Sequence, residues 1–389
     1  MRMAKTERGF TLVELMVASA IGLVVIMAMT SLFKLGMDAT FTVTQRAETQ
    51  QNMRAAIDLL TKDISLAGSG LPTGGLQLGT AALSKYACNQ GGTCYLPKFT
   101  YPTNTGTGAP NYMYGILPGF SNGVENGVAI PNAPGQINDS ITSIYCDYNF
   151  PLTNFTFTVN AGGTTVGVAP AIPIVAGSPT NILQAGGLTT GDLLMFTVST
   201  PGNGTGTTGN SLVQNAAVVA EITSVPSNTQ IDFNTSDPLN FNQAAGSNNL
   251  SAVSAAITAS LPAKAQTTVC RLYAVTYFIE VPTAGGTVQT PRLMRQVNGY
   301  NAVPVADNII NLQFSYDVIN GSSTVSPNVA DPIGAGLSPS LIQKVNMWVM
   351  GESLTLDGKR SQNMYLATSV SARNMSFCNS YSPSTNSCQ

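Results

Sequence analysis

Histidine is absent from all 389 residues. That closes Ser/His and Cys/His nucleophilic catalysis and removes the commonest zinc ligand. Charge is scarce: Asp, Glu, Lys and Arg make up 9% of the chain and leave a net charge of −2. Such a chain is not a generally basic nucleic-acid binder, and no nucleic-acid partner is expected. No GxxxxGK[ST] phosphate loop, CxxC pair or EF-hand spacing occurs. No metal, no cofactor and no enzymatic activity are expected. Carboxylates such as Glu221 and Asp232 are the remaining acid–base candidates, because two carboxylates far apart in sequence converge only through the fold. The single tryptophan, Trp348, lies in an apolar strand-like segment, where a core position is expected.

What is present is one long hydrophobic run, organised around Arg8-Gly9-Phe10-Thr11-Leu12-Val13-Glu14-Leu15 and continuing to Phe33 with Glu14 as its one charge after Arg8. A helix over these positions is long enough to cross a hydrocarbon core of roughly 30 Å. A secretory signal places its small residues after the apolar core. Here the small residue, Gly9, precedes the core and follows Arg2, Lys5 and Arg8. Cleavage after Gly9 would keep the helix and create a new N-terminus at Phe10. Basic residues ahead of a first span favour a cytoplasmic N-terminus, with the remainder of the chain across the membrane. Glu14 costs on the order of 2.5 kcal/mol at a bilayer centre, so it calls for a cationic partner. The amine freed at Phe10, on the same chain or a neighbouring one, is the nearest candidate.

Gly9 followed by Phe10-Thr11-Leu12-Val13-Glu14 resembles the class III signal of type IV pilins and type II secretion pseudopilins. The resemblance implies a prepilin peptidase that cuts after Gly9 and methylates Phe10. It also implies that Glu14 neutralises the N-terminus of the adjacent subunit during filament assembly. The implied partners are that peptidase/methyltransferase, other minor and major pilins, an inner-membrane assembly platform, and membrane lipid before assembly.

Past Phe33 the pattern becomes amphipathic. Met53, Ile57, Leu60 and Ile64 recur every three or four residues, and Arg54 and Asp58 are spaced for an i, i+4 pair. The helix is predicted to reach about Ala67, where Gly68, Gly70 and Pro72 supply a stop. Residues 1–9 then read as a leader, 10–35 as a transmembrane or filament-core helix, 36–68 as its amphipathic second half, and 69–389 as an exported β-rich domain. Within that domain, about 160–265 reads as a low-charge insertion, with loops expected near 200–209 and 240–249.

Six cysteines in an exported chain point to disulfides. Six allow fifteen pairings, and spacing alone does not choose among them. Proximity suggests Cys88 with Cys94 and Cys378 with Cys388, which leaves Cys146 for Cys270.

Short strands are predicted at 143–150, 154–159, 193–198, 217–222 and 230–233, and longer ones at 269–281, 292–297, 309–319, 342–350 and 364–372. In the third long strand Leu312, Phe314, Tyr316 and Val318 alternate with Gln313, Ser315 and Asp317, as in a half-buried antiparallel sheet. The fold class expected is α+β, a long N-terminal helix packed on an antiparallel sheet as in type IV pilins, with a large β-rich insertion. The segment Val305-Ala306-Asp307-Asn308-Ile309-Ile310-Asn311-Leu312-Gln313-Phe314-Ser315-Tyr316-Asp317 and the closing Ser371-Ala372-Arg373-Asn374 resemble the PilW family of minor pilins. That resemblance implies a subunit promoting pilus assembly, in a tip or priming complex. A J-like pseudopilin of a type II secretion system and a pilus-mounted adhesin are the alternatives.

Overall fold

The structure, a computed structural model, describes residues 9–375 except 73, 80–82, 104–110, 131–132, 134, 148–151, 171–186, 202–211, 244–249, 260–265, 285–286, 289, 320–323 and 354–361. One helix of 55 residues, α1, runs from Leu12 to Leu66, a length of about 80 Å. Its first half lacks proline, and two of its hydroxyls turn back onto the helix. Ser19 Oγ donates to the Met16 carbonyl at 2.9 Å, and Thr30 Oγ1 donates to that of Ile26 at 2.8 Å. Such side chains need no water, a requirement in an apolar setting. The helix ends where Gly68 (φ 81°) and Gly70 (φ 78°) take left-handed backbone. Gly68 N–H donates to the Ile144 carbonyl at 2.8 Å, tying the helix end to a strand.

The principal strands, in chain order, are β1 (Ile116–Gly119), β2 (Ser140–Asp147), β3 (Phe155–Val159), β4 (Thr165–Pro170), β5 (Leu193–Pro201), β6 (Leu212–Glu221), β7 (Ser224–Ser227) and β8 (Gln230–Asp232). A short helix, α2 (Leu250–Ala259), separates them from β9 (Gln266–Glu280), β10 (Arg292–Val297), β11 (Val303–Asp307), β12 (Ile309–Ile319), β13 (Val325–Val329), β14 (Ile342–Ser353) and β15 (Gln362–Ser371).

All pairings between these strands are antiparallel. A seven-stranded sheet has the order β11-β10-β9-β2-β1, with β5 added along β9 and β6 along β5. The 15-residue β9 is its spine: residues 266–272 pair with β5, 271–277 with β2 and 275–280 with β10. A second sheet is β13-β12-β14-β15, and a small one is β3-β4-β8-β7. The five long strands expected to form one sheet under the helix therefore divide between two. The first and second of them, β9 and β10, lie in the large sheet, and β12, β14 and β15 lie in the other. Residues 193–221, read as insertion, supply two strands of the large sheet rather than a separate module.

The second half of α1 fills the space between these sheets. Met53, Ala56, Leu60 and Ile64 are buried, and they share a core with Ile141, Val275 and Leu293 of one sheet and Phe314, Val345 and Val349 of the other. Ile57 packs at its margin. Burying each large side chain of this stripe contributes about 1.5–3 kcal/mol. The opposite face of the large sheet is covered by the 76–101 region through Leu78, Tyr86, Leu96 and Tyr101. A third core joins the small sheet to α2 and β5 through Phe157, Phe196, Phe233 and Val253.

Two further expectations are corrected. Arg54 and Asp58 are both exposed and are not among the ion pairs of the described residues. Trp348 is only half-buried, because the alternation of β14 sends Val345, Met347 and Val349 inward and Trp348 to the other face.

Candidate functional site

Gly9 and Phe10 precede α1 as exposed, extended chain, and Phe10 is 89% exposed. A β-carbon built on Gly9 meets nothing within 4 Å. The fold itself therefore gives no reason for glycine at this position. Arg2, Lys5 and Arg8 lie outside the described residues.

Thr11 caps the helix. Its Oγ1 accepts from the Glu14 N–H at 3.3 Å, while Glu14 Oε2 accepts from the Thr11 N–H and hydroxyl, both at 3.0 Å. This is a reciprocal capping box, and the acidic side chain sits at the positive end of the helix dipole. The sequence reading treats Glu14 as a charge awaiting a cation and passes over the Thr-x-x-Glu spacing that announces the cap. In the uncut chain the carboxylate already has partners, which lowers its cost in an apolar segment.

Beyond the cap, the first half of α1 presents apolar side chains on every side. Leu15, Ile21, Leu23, Val24, Ile26, Met29, Leu32 and Phe33 are between 59% and 76% exposed. The most apolar stretch has a mean hydropathy of 2.4 and none of it is buried, so the helix is long and apolar enough to cross a membrane. Contiguous apolar surface of this extent marks contact with lipid or with other apolar helices.

Residues 4–30 match the model of the prokaryotic N-terminal methylation motif. This motif, the class III prepilin signal, indicates a type IV pilin-like or pseudopilin protein. It implies processing by prepilin peptidase and engagement with pilus or pseudopilus assembly machinery, and it is compatible with membrane anchoring by α1. No curated protein and no solved structure matches the chain.

The remaining candidates lie in the β-rich part of the chain. Cys88 is joined to Cys94, and Cys146 on β2 to Cys270 on β9. Cys378 and Cys388 lie outside the described residues. Glu221 does not meet Asp232, which binds Ser224 and Gln230. It meets Asp237 instead, in a buried network with Gln90 and with the N–H of Leu239 at 3.1 Å. Burial, followed by the Asp237 charge, pushes the Glu221 carboxyl up to about 8.

Two features amend the sequence reading, which finds no GxSxG elbow and passes over Asp63. Gly119-Phe120-Ser121-Asn122-Gly123 has GxSxG spacing, and Ser121 sits at φ 54° just past β1. Only a three-residue 3-10 turn, Glu125–Gly127, follows it, with no α-helix, and the chain has no histidine, so it is not a nucleophile elbow. Its glycines answer to packing: β-carbons there would press on Ser140 and Asp139 at 2.0 and 2.3 Å.

Asp63 is the second. It is 2% exposed in the last turn of α1, where a negative charge opposes the helix dipole. It accepts from Tyr277 Oη at 2.6 Å, Arg295 Nε at 2.9 Å and Tyr145 Oη at 3.0 Å. Burial and the Asp63 charge hold both phenols above their ordinary range, which keeps them as donors. An acid in a helix's last turn, where it opposes the dipole, is the signal that could have flagged a partner elsewhere.

Proposed function

We propose that this chain is a minor pilin of a type IV pilus. Hydrolysis of the Gly9–Phe10 peptide bond leaves a carboxylate on Gly9 and an ammonium on Phe10, which the methyltransferase then methylates. Residues 10–33 hold the subunit in the inner membrane, and the same surface packs among other pilin helices when it is drawn into the filament. Its work is assembly and not turnover. The observation that carries this reading is the contrast within α1. Its docked half is covered by its own domain, whereas its apolar half has no partner among the described residues.

Glu14 has a double part here. In the precursor it caps its own helix. After cleavage a new ammonium stands one residue before the cap, and the carboxylate is available to an ammonium of its own chain or of the next subunit, where a charge-assisted bond in apolar surroundings is strong. The PilW-like segments 305–317 and 371–374 support a minor-pilin reading, since they include the last three residues of β11, a strand beside the docked helix, and most of β12. A type II secretion pseudopilin is the second reading, because the N-terminal motif is common to both.

Intact mass and N-terminal sequencing of membrane-extracted protein test the proposal. A chain beginning at Phe10 with one added methyl group is expected, and Gly9→Ala should leave the precursor uncut with its fold intact. A wild-type chain still beginning at Met1, or cut beyond the apolar run, would overturn it. Deletion of the gene is expected to abolish pili; normal pili with failed protein secretion would select the pseudopilin instead.

A further inference from the structure

The face of the β12-β14-β15 sheet turned away from α1 carries a groove of about 640 Å³. Its floor is two cross-strand rows: Gln313 beside Trp348 beside Ala367, and Ser315 beside Asn346 beside Ser369. Phe120 and Ile137 form part of its wall. Ala367, the exposed cross-strand neighbour of the half-buried Trp348, has only a small side chain. Next to it, the Tyr365 ring is 6.1 Å from that of Trp348, with 32° between their planes, and Tyr365 is 69% exposed.

The polar groups are oriented by the protein. Asn346 Nδ2 donates to Asp317 Oδ1 and to Asn328 Oδ1, each at 3.1 Å, and Gln313 Nε2 donates to the Ile137 carbonyl at 3.1 Å. Both amides are thereby held, with their side-chain carbonyl oxygens left as acceptors. No Lys or Arg lines the groove. Its one carboxylate, Asp139, is already engaged, accepting from the N–H of Ser121 at 2.9 Å and of Phe314 at 3.0 Å.

We propose that this groove binds a neutral carbohydrate. An exposed aromatic face matches the C–H face of a sugar ring, and fixed amides and hydroxyls match its hydroxyl groups; few oriented polar groups around apolar surface are what a small-ligand site requires. The lack of a cation disfavours phosphate-bearing and carboxylate-bearing ligands. Two of the three floor strands, β12 and β14, are hydrogen-bonded on both sides; a peptide could add only along the outer edge of β15, at the groove's margin and not over its floor. The proposal is independent of how the N-terminus is processed.

Because Trp348 is the only tryptophan, tryptophan fluorescence of the full chain reports on this groove alone. The experiment is a titration in a zwitterionic, sugar-free detergent with maltohexaose, cellohexaose, laminarihexaose and chitohexaose. A saturable change with at least one of them is expected. Asn346→Ala should weaken it about tenfold, the loss of roughly one hydrogen bond in a desolvated site. Tyr365→Ala, at an exposed position that the fold tolerates, should weaken it as well. No response to any of the four, or binding unchanged in both variants, would overturn the proposal. A response to purified partner pilin with none to sugar would also overturn it and make the groove a protein interface.

Discussion

The two halves of α1 share one backbone and one hydrogen-bond pattern, yet they face different surroundings. From Leu15 to Phe33 the surface is uncharged, mainly apolar and exposed; from Thr49 to Ile64 one apolar stripe is buried and most of the remaining surface is polar. The first half has a composition that water does not favour and its own domain does not cover. The second has the period that a two-sided environment imposes. The difference separates the face that holds the domain to its helix from the surface left for lipid or for other apolar helices.

The comparison breaks most severely at Asp63. Asp63→Ala leaves Arg295, Tyr145 and Tyr277 without their shared acceptor. Breaking a buried, hydrogen-bonded ion pair costs about 3 kcal/mol or more, and denaturant unfolding of the full chain in detergent should show a loss of that order. A loss within about 0.5 kcal/mol, as at an ordinary surface site, would mean that the cluster does not lock the helix.

The comparison is sharpened by the same substitution made in each half. Leu60 is fully buried, and Leu60→Ala should cost about 2–5 kcal/mol. Leu23 is 59% exposed, and Leu23→Ala should change domain unfolding by less than about 0.5 kcal/mol while impairing assembly. Equal losses of stability would show that the apolar half is covered by its own chain.

The smallest effect sets the domain apart from the helix through pH. Glu221 has a raised carboxyl, about 8 against an ordinary 4.5. The folded state then binds more protons than the unfolded one between these values, so the contribution is present below pH 4.5 and is lost as pH rises through 8. Thermal unfolding should occur several degrees lower at pH 9 than at pH 5. Glu221→Gln should flatten that slope, and an unchanged slope would remove Glu221 as its source.

Much of the chain was legible before folding because the signals are local. The stop at Gly68, the stripe through Leu60 and Ile64, and the alternation of 309–319 are each carried by neighbouring residues. The division of the long strands into two sheets was not, since alternation says which face is buried but not which strand lies alongside. Trp348 shows the same limit: apolar neighbours suggested a core, but period 2 sends it outward. The Glu14 cap was local and was overlooked, because the charge drew attention away from the spacing.

Residue order alone determined the apolar span and the methylation motif that includes Gly9, since both are carried by one linear segment. Only the tertiary structure decided that Asp63 meets Arg295 across 232 residues of chain, that Glu221 meets Asp237, and that Trp348 looks out over a polar groove. Each depends on strands distant in sequence being paired in one register, and a one-residue slip in that register would turn every side chain to the other face.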